Sequence, residues 1–383
     1  MNSNRKAAAV LMSLCATIIA PLTHAQSPAP QVAEQVLQDS RAIASSLAAR
    51  LESDFVYPDV GKRYAAGIRD HANAGRYDAL RGLDLAKRLT DDLQAIAADG
   101  HLRVGFGGGH APKLVIEPAG AANGAMPSSP PGAVPKMIRM PPPPPVEQAR
   151  WLAPGIAFVR FNLFPDDPDA TRAAAKFMAD HASAKTIIFD LRNHRGGGLE
   201  QMDVIFPWLF AKPTRLVTMA TRKSVDEADG SPVAGVQSLR LVAGNPDFVT
   251  REHWVTPGKD KRLSKAKIFV LISNRTGSAA EHFALALKST KRATLIGVPT
   301  YGANHFGGDQ DLGGTFTAFI PVGRTYDPLS GKDWEGSGVQ PDIDTPPEDA
   351  LLKALLLSGI GADEAARLSA EVAPKTPMVR RIP

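Results

Sequence analysis

"KIFVLISNRTGSAAEHFALAL", residues 267–287, runs from a strand through a turn into a helix. The stretch "KIFVLISN" is apolar enough for a buried strand, and "SNRTG" breaks it. From Ser278 the pattern S-x-x-E stands ahead of an apolar run, which is the capping box that starts a helix. A serine at a helix N-terminus, with backbone N–H groups pointing outward, is also a place for a nucleophile. Which reading applies depends on what the rest of the chain brings to that serine.

Working outward, the second half alternates strand and helix. "GIAFVRF" and "KTIIFDLR" read as strands, with the amphipathic helix "DATRAAAKFMADHAS" between them. "NHRGGG" then leads into the helix "LEQMDVIFPWLF". "TRLVTMATR", "RATLIGV", "TFTAFIPVGRTY" and "VQPDIDTP" add extended segments, and "PEDALLKALLLSG" is a closing helix. Such alternation predicts an α/β fold with a mostly parallel sheet covered by helices. Its sites belong at the carboxyl ends of strands, where the glycine-rich turns fall.

The first half differs. Arg5 and Lys6, the short apolar run "AAAVLMSLCATIIAPL" and "THA" before Gln26 read as an export signal over residues 1–25. Residues 26–104 read as an all-helical N-terminal domain that ends at "DGHLRVGF". Residues 105–149 read as a Pro/Gly-rich linker or loop, too low in complexity to bury a core, though "KLVIEP" within it is strand-like. The α/β core is expected over residues 150–345, and a C-terminal helix and tail over residues 346–383. "GFGGGH" is not followed by a helix, so a dinucleotide loop fails its context test.

Composition removes several chemistries. The one cysteine of the chain, Cys15, lies in the expected signal, so the exported part has no disulfide, thiolate zinc site or cysteine nucleophile. The formal charge of +5 falls to +3 once Arg5 and Lys6 leave, and the basic residues are scattered apart from "VRRIP". A nucleic-acid partner would want a concentrated basic face, so none is expected. No HExxH or comparable ligand pair appears, so no metal is expected. No organic cofactor and no stable membrane insertion after signal removal are expected either. The oligomeric state is not legible.

Three further segments bring chemistry to Ser278. "DLRNHRGGG", residues 190–198, offers consecutive glycines whose N–H groups can approach an oxyanion. "ADGHLRV" offers His101, and "DWEGSGVQPDID" offers Glu335. A serine needs a base and a carboxylate to orient it. Spacing alone does not select these two from nine histidines and many carboxylates. Asp190 and Arg192 read as an ion pair that builds the loop. His194, His282 and His305 lie near the site in sequence and are candidates for pocket lining.

The run "TGSAAEHFALALKSTKRATLIGVPTYGAN" resembles the active-site signature of the tail-specific (C-terminal-processing) serine peptidase family. "DLRNHRGG" and "GVQPDI" resemble its glycine turn and closing motif. The helical lead-in is similar to the retinoid-binding-protein branch. The resemblance covers residues 35–105 and 150–345 and implies a crotonase-like core. It also implies an exported serine peptidase that acts on peptide or protein substrates through an acyl-enzyme. In the processing branch a lysine in a T-x-G-K turn is the base, but that turn is "TYGAN" here and the lysine position is Ala303. The tricorn-like branch takes its base from before the core and a glutamate from just before the closing motif. These positions match His101 and Glu335, so the implied triad is Ser278, His101 and Glu335. The implied oxyanion donors are the N–H groups of Gly196, Gly197 and Ala279. The peptide-binding PDZ module of the processing peptidases has no counterpart in residues 105–147. The alternative is a non-catalytic carrier of an apolar ligand or peptide on the same fold.

Overall fold

A computed structural model describes residues 40–107, 143–228 and 230–374. The expected signal, most of the Pro/Gly-rich segment with "KLVIEP", and the "VRRIP" tail lie outside the described residues. Those described fall within one compact unit, Gln38–Pro383.

The chain opens with α1 (Ser40–Asp54), α2 (Pro58–Asn73) and α3 (Gly82–Ile96). Pro58 sits at the first position of α2, where its missing N–H costs nothing. Then come β1 (Arg103–Phe106), β2 (Val146–Ala153), β3 (Ile156–Phe161), α4 (Pro168–Asp180), β4 (Thr186–Asp190) and α5 (Glu200–Leu209). Next are β5 (Thr214–Arg222), α6 (Lys223–Glu227), β6 (Leu239–Val242), β7 (Phe248–Val255), β8 (Lys267–Ile272) and α7 (Ala279–Ser289). β9 (Thr294–Gly297), β10 (His305–Gly313), β11 (Phe316–Tyr326), β12 (Ile343–Asp344), α8 (Ala350–Leu357) and α9 (Ala362–Glu371) complete the described chain.

The strands form two six-stranded sheets. One has the order β12-β9-β8-β4-β3-β2 and is parallel except at its β2 edge. Two of its inner strands, β3 and β4, are buried along their whole length, as a sheet covered on both faces requires. α4, α5 and α7 pack on one face around Phe189, Phe206 and Phe283. α8 and α9 cover the other around Phe158, Leu271 and Leu355.

The first sheet is the mostly parallel one expected, and the second, antiparallel sheet is an addition to that expectation. Its order is β1-β11-β5-β7-β6, with β10 also on β11, and its pairings are antiparallel. β5 belongs to this sheet rather than continuing the parallel one. The helices α1–α3 bury Leu47, Leu51, Leu89 and Leu93 against Phe316, Ala318 and Ile320 of β11. β2 begins inside the stretch read as linker. "VEQARWLA" follows the proline run and pairs back on β3 through a turn at Gly155, whose φ of +79° suits glycine.

Candidate active site

β4 and β8 are parallel neighbours, in register from Thr186↔Lys267 to Asp190↔Leu271. The turns that follow them therefore leave the sheet side by side, as does the turn after β9. That edge is where the loops of a parallel sheet meet a ligand.

The turn after β8 carries Ser278. Ser273 Oγ donates to the Arg192 carbonyl and Thr276 Oγ1 to that of Leu191, which fastens this turn to the one after β4. Ser278 itself takes φ +57°, ψ −122°, a conformation that an L-residue enters only under strain. Its N–H donates to Glu281 Oε2 at 2.7 Å, so the glutamate arm of the capping box is made. That carboxylate does more than cap. It also accepts from Thr300 Oγ1 and from the N–H groups of Gly302 and Ala303, at 2.6–3.0 Å. Glu281 is fully buried, and burial pushes its pKa up to about 7 against these donors, which favour the charged form. One carboxylate thus ties the Ser278 turn to the turn that follows β9.

The turn after β4 carries the glycines. Asp190 accepts both Arg192 and Arg160 in a buried ion-pair cluster, and Arg192 also donates to the Pro347 carbonyl. Burial opposes the charge on Asp190, but the two guanidinium groups prevail and hold its pKa down to about 2. This is the loop-building ion pair expected from sequence. Gly196 and Gly197 follow with φ of +107° and +128°. A methyl on Gly196 would lie 2.7 Å from Ser278 Cβ, and one on Gly197 would strike the Phe164 carbonyl. Glycine is therefore required at both positions, and the Gly196 backbone lies directly against the serine.

The donor assignment needs one correction. The Gly196 N–H donates to His194 Nδ1 at 3.0 Å, so it is not available to an oxyanion. Gly197 and Ala279, the first residue of α7, are the other two expected donors, and both line the cavity beside Ser278. His194 is also placed otherwise than expected: it is not among the residues lining the cavity beside Ser278. It is fully buried against Phe164, and its carbonyl accepts the Gly277 N–H. It works as a strut between the glycine turn and the serine turn.

His282 and His305 do line the cavity, which has a volume of about 200 Å³. Its walls include Leu199, Met219, Val233, Phe306 and Trp334 beside Ser278 and Ala279. His305 is buried, with Nδ1 2.7 Å from Asp99 Oδ2 and 3.8 Å from Glu335 Oε2. Burial opposes protonation of His305, but Asp99 and then Glu335 outweigh it and raise its pKa. Asp99 is lowered in turn, its hydrogen bond and charge pairing with His305 prevailing over burial.

His101 does not line this cavity. Its N–H donates to Asp99 Oδ1, and its ring stacks on Phe319 with centroids 5.4 Å apart. Its turn nevertheless belongs to the same neighbourhood. Gly100 packs against Ala303, and the Gly100 N–H donates to Glu335 Oε1 at 2.7 Å. The other Glu335 oxygen accepts the N–H groups of Asn304 and His305. Glu335 is therefore a clamp on two backbone segments, and burial raises its pKa.

Residues 155–345 match the description of Peptidase family S41. The chain belongs to this family. Among its relatives, carboxyl-terminal-processing peptidase 1 of Arabidopsis thaliana chloroplasts is 29% identical over 129 residues, which is 31% of this chain and 25% of that protein. The chloroplastic C-terminal processing peptidase of Tetradesmus obliquus is 26% identical over 206 residues, covering 52% of this chain and 38% of the relative. The chain thus spans well under half the length of these relatives. A solved structure from Parabacteroides merdae superposes with a TM-score of 0.56 at 15% identity, over 88% of this chain and 98% of that one, which shows a shared fold.

Two acids of this S41 site escape sequence reasoning in different degrees. Asp99 stands two residues before His101, and its side chain caps the turn by accepting from the His101 and Leu102 N–H groups. The aspartate in "ADGH" is the signal of such a turn. Asp203 and His253, which back His282, carry no such signal, because only the packing of β7 on α5 and α7 brings them together.

Proposed function

We propose that the protein is an exported serine peptidase with a crotonase-like core behind a helical N-terminal region. The observation that carries this reading is the strained Ser278 at the start of α7, pressed against the Gly196 backbone. A nucleophile needs that exposure of one oxygen, and an oxyanion hole needs Gly197 and Ala279 N–H groups beside it. The family of residues 155–345 supports the same chemistry.

In this reading Ser278 Oγ attacks a peptide carbonyl while a histidine takes its proton. The tetrahedral oxygen is held by the Gly197 and Ala279 amides, the histidine gives its proton to the leaving amine as the C–N bond breaks, and water, deprotonated by the same histidine, then hydrolyses the acyl-enzyme and frees Ser278. His101 is the base by its place in the sequence motif. It is supported by the packing of its turn on Ala303, where the processing branch has lysine, and by the hold of Glu335 on Gly100. Glu335 then acts as a positioning residue through the backbone. A specific observation favours a second base: His305 shares the Ser278 cavity and already has Asp99 on Nδ1. Neither route calls on a metal or cofactor.

Peptide hydrolysis by Ser278→Ala, His101→Gln and His305→Gln variants separates these readings. Loss of about a thousandfold or more in kcat is expected for the serine and for the true base. Equal, small losses for both histidines would remove the base assignment. A carrier on this fold would bind its ligand unchanged in Ser278→Ala and cleave nothing. Export is tested by the N-terminal sequence of the protein recovered outside the cytoplasm, expected to begin near Gln26.

A further inference from the structure

His282 stands one helical turn past Ser278 and lines the same cavity, whose other walls are apolar at Leu199, Met219, Val233 and Trp334 and polar at Glu200, Asn304 and Thr325. Behind it runs a chain of buried groups. His282 Nε2 lies 2.8 Å from His253 Nδ1 on β7, and His253 Nε2 lies 3.1 Å from Asp203 Oδ1 on α5. The second Asp203 oxygen accepts from Ser238 Oγ at 2.9 Å.

When both rings are neutral, the direction of every bond in this chain follows from its outer end. An ionised carboxylate can only accept, so His253 gives its Nε2–H to Asp203. A neutral imidazole has one N–H, which leaves a lone pair on His253 Nδ1. His282 must then donate its Nε2–H inward, and its own Nδ1 keeps a lone pair. Burial, and then repulsion from His253 whenever that ring is charged, hold the His282 pKa well below the usual histidine range, in keeping with a neutral His282.

We propose that His282 Nδ1 is a hydrogen-bond acceptor in the wall of the pocket that takes the side chain preceding the scissile bond. The pocket then selects short side chains that carry a donor, serine or threonine, over their apolar isosteres alanine and valine. The cavity of about 200 Å³ has room for such a side chain, since ~150 Å³ suffices for a benzene-sized group. Discrimination arises because an isostere without the hydroxyl leaves the buried acceptor unpaired. His253 and Asp203 are positioning residues, since they act only by fixing which His282 nitrogen carries the proton.

The inference rests on the peptidase reading, and the test keeps the two apart. An equimolar library of decapeptides differing at one randomised position is digested at pH 8 and the cleavage sites are read by mass spectrometry. kcat/KM is then measured for matched threonine/valine and serine/alanine pairs. A preference of about tenfold for the hydroxyl member is expected, the value of one hydrogen bond. It should fall below about threefold in His282→Phe and in Asp203→Asn, whose amide no longer dictates the direction of the chain. Asp203 is partly exposed, so its variant keeps the test open if His282→Phe does not fold. Equal or better cleavage of the valine and alanine members, or an undiminished preference in Asp203→Asn, overturns the inference. A Ser278 that reacts with a fluorophosphonate while no library member is cut overturns it too. An unreactive Ser278 overturns the peptidase reading instead.

Discussion

Ser278 and Lys291 are the non-glycine residues with positive φ among the described residues, and Ser278 adjoins the cavity of about 200 Å³. Strain of this kind costs about 1–3 kcal/mol and persists where the surroundings impose it. Here those surroundings are Glu281, the Gly196 backbone and the ties from Ser273 and Thr276. Ser278→Gly should therefore raise unfolding free energy by about 1 kcal/mol or more while abolishing hydrolysis, because glycine enters this conformation freely and caps a helix nearly as well. Urea denaturation checks the first outcome and a peptide assay the second. Gly197→Ala should do the opposite, losing both stability and activity, since its methyl meets the Phe164 carbonyl. Unchanged denaturation of Gly197→Ala would contradict that account. At this scale the sequence was informative where a local motif carried the geometry. S-x-x-E announced the Ser278 cap, and the doubled glycine announced a turn that only glycine can make. The spending of the Gly196 N–H on His194 was not legible, because it depends on the ring being packed by Phe164.

At the scale of elements, three turns leave one sheet edge and are held together by two buried acids of opposite habit. Asp190 is ionised by its two arginines, whereas Glu281 must be paired by neutral donors alone. Asp190→Asn would leave Arg192 without a carboxylate and Arg160 with Glu147 alone, at a cost of about 3–5 kcal/mol in unfolding free energy. Glu281→Gln brings an amide –NH₂ to a place surrounded by donors, so at least one N–H loses its acceptor. It should lower kcat by tenfold or more with little change in KM, since it moves Ser278 without touching substrate. A change in KM alone would place Glu281 in binding instead. The strand–helix units that build this edge were legible from alternation and apolar runs. The antiparallel sheet was not. β10 reads "HFGGDQDLG", with glycines and acids that give no strand signal of their own, and it forms because β11 supplies its partner. His101 was found by its motif, yet its ring rests on Phe319, a contact no local pattern announces.

For the whole molecule, the titration of the site bears on stability. Glu281, Glu335 and His305 all have folded pKa values raised above their ordinary ones. Each binds its proton more tightly in the folded state, so each contributes stability that is present below the ordinary value. That stability is lost as pH rises through the folded value. For Glu281 the window runs from about 4.5 to about 7, worth roughly 3 kcal/mol over that span. Unfolding free energy should therefore fall between pH 5 and pH 8, and Glu281→Gln should flatten part of that slope. Asp99 sets the acid side, because its pKa is lowered and its contribution disappears as pH drops through the folded value. Urea melts across this range that rise steadily toward pH 8 would contradict the assignment. The helices α1–α3 share their core with β11, and the loop that follows α3 brings Asp99 to His305 and carries His101. The N-terminal region is thus expected to be needed for activity as well as for folding.

The central claim is that Ser278 is an activated nucleophile, and labelling by a fluorophosphonate followed by peptide mapping tests it most directly. The adduct is predicted on Ser278 alone, absent in Ser278→Ala and slowed about a thousandfold or more when the base histidine is replaced. A folded protein that remains unlabelled, or that carries its adduct on another serine, would contradict the account.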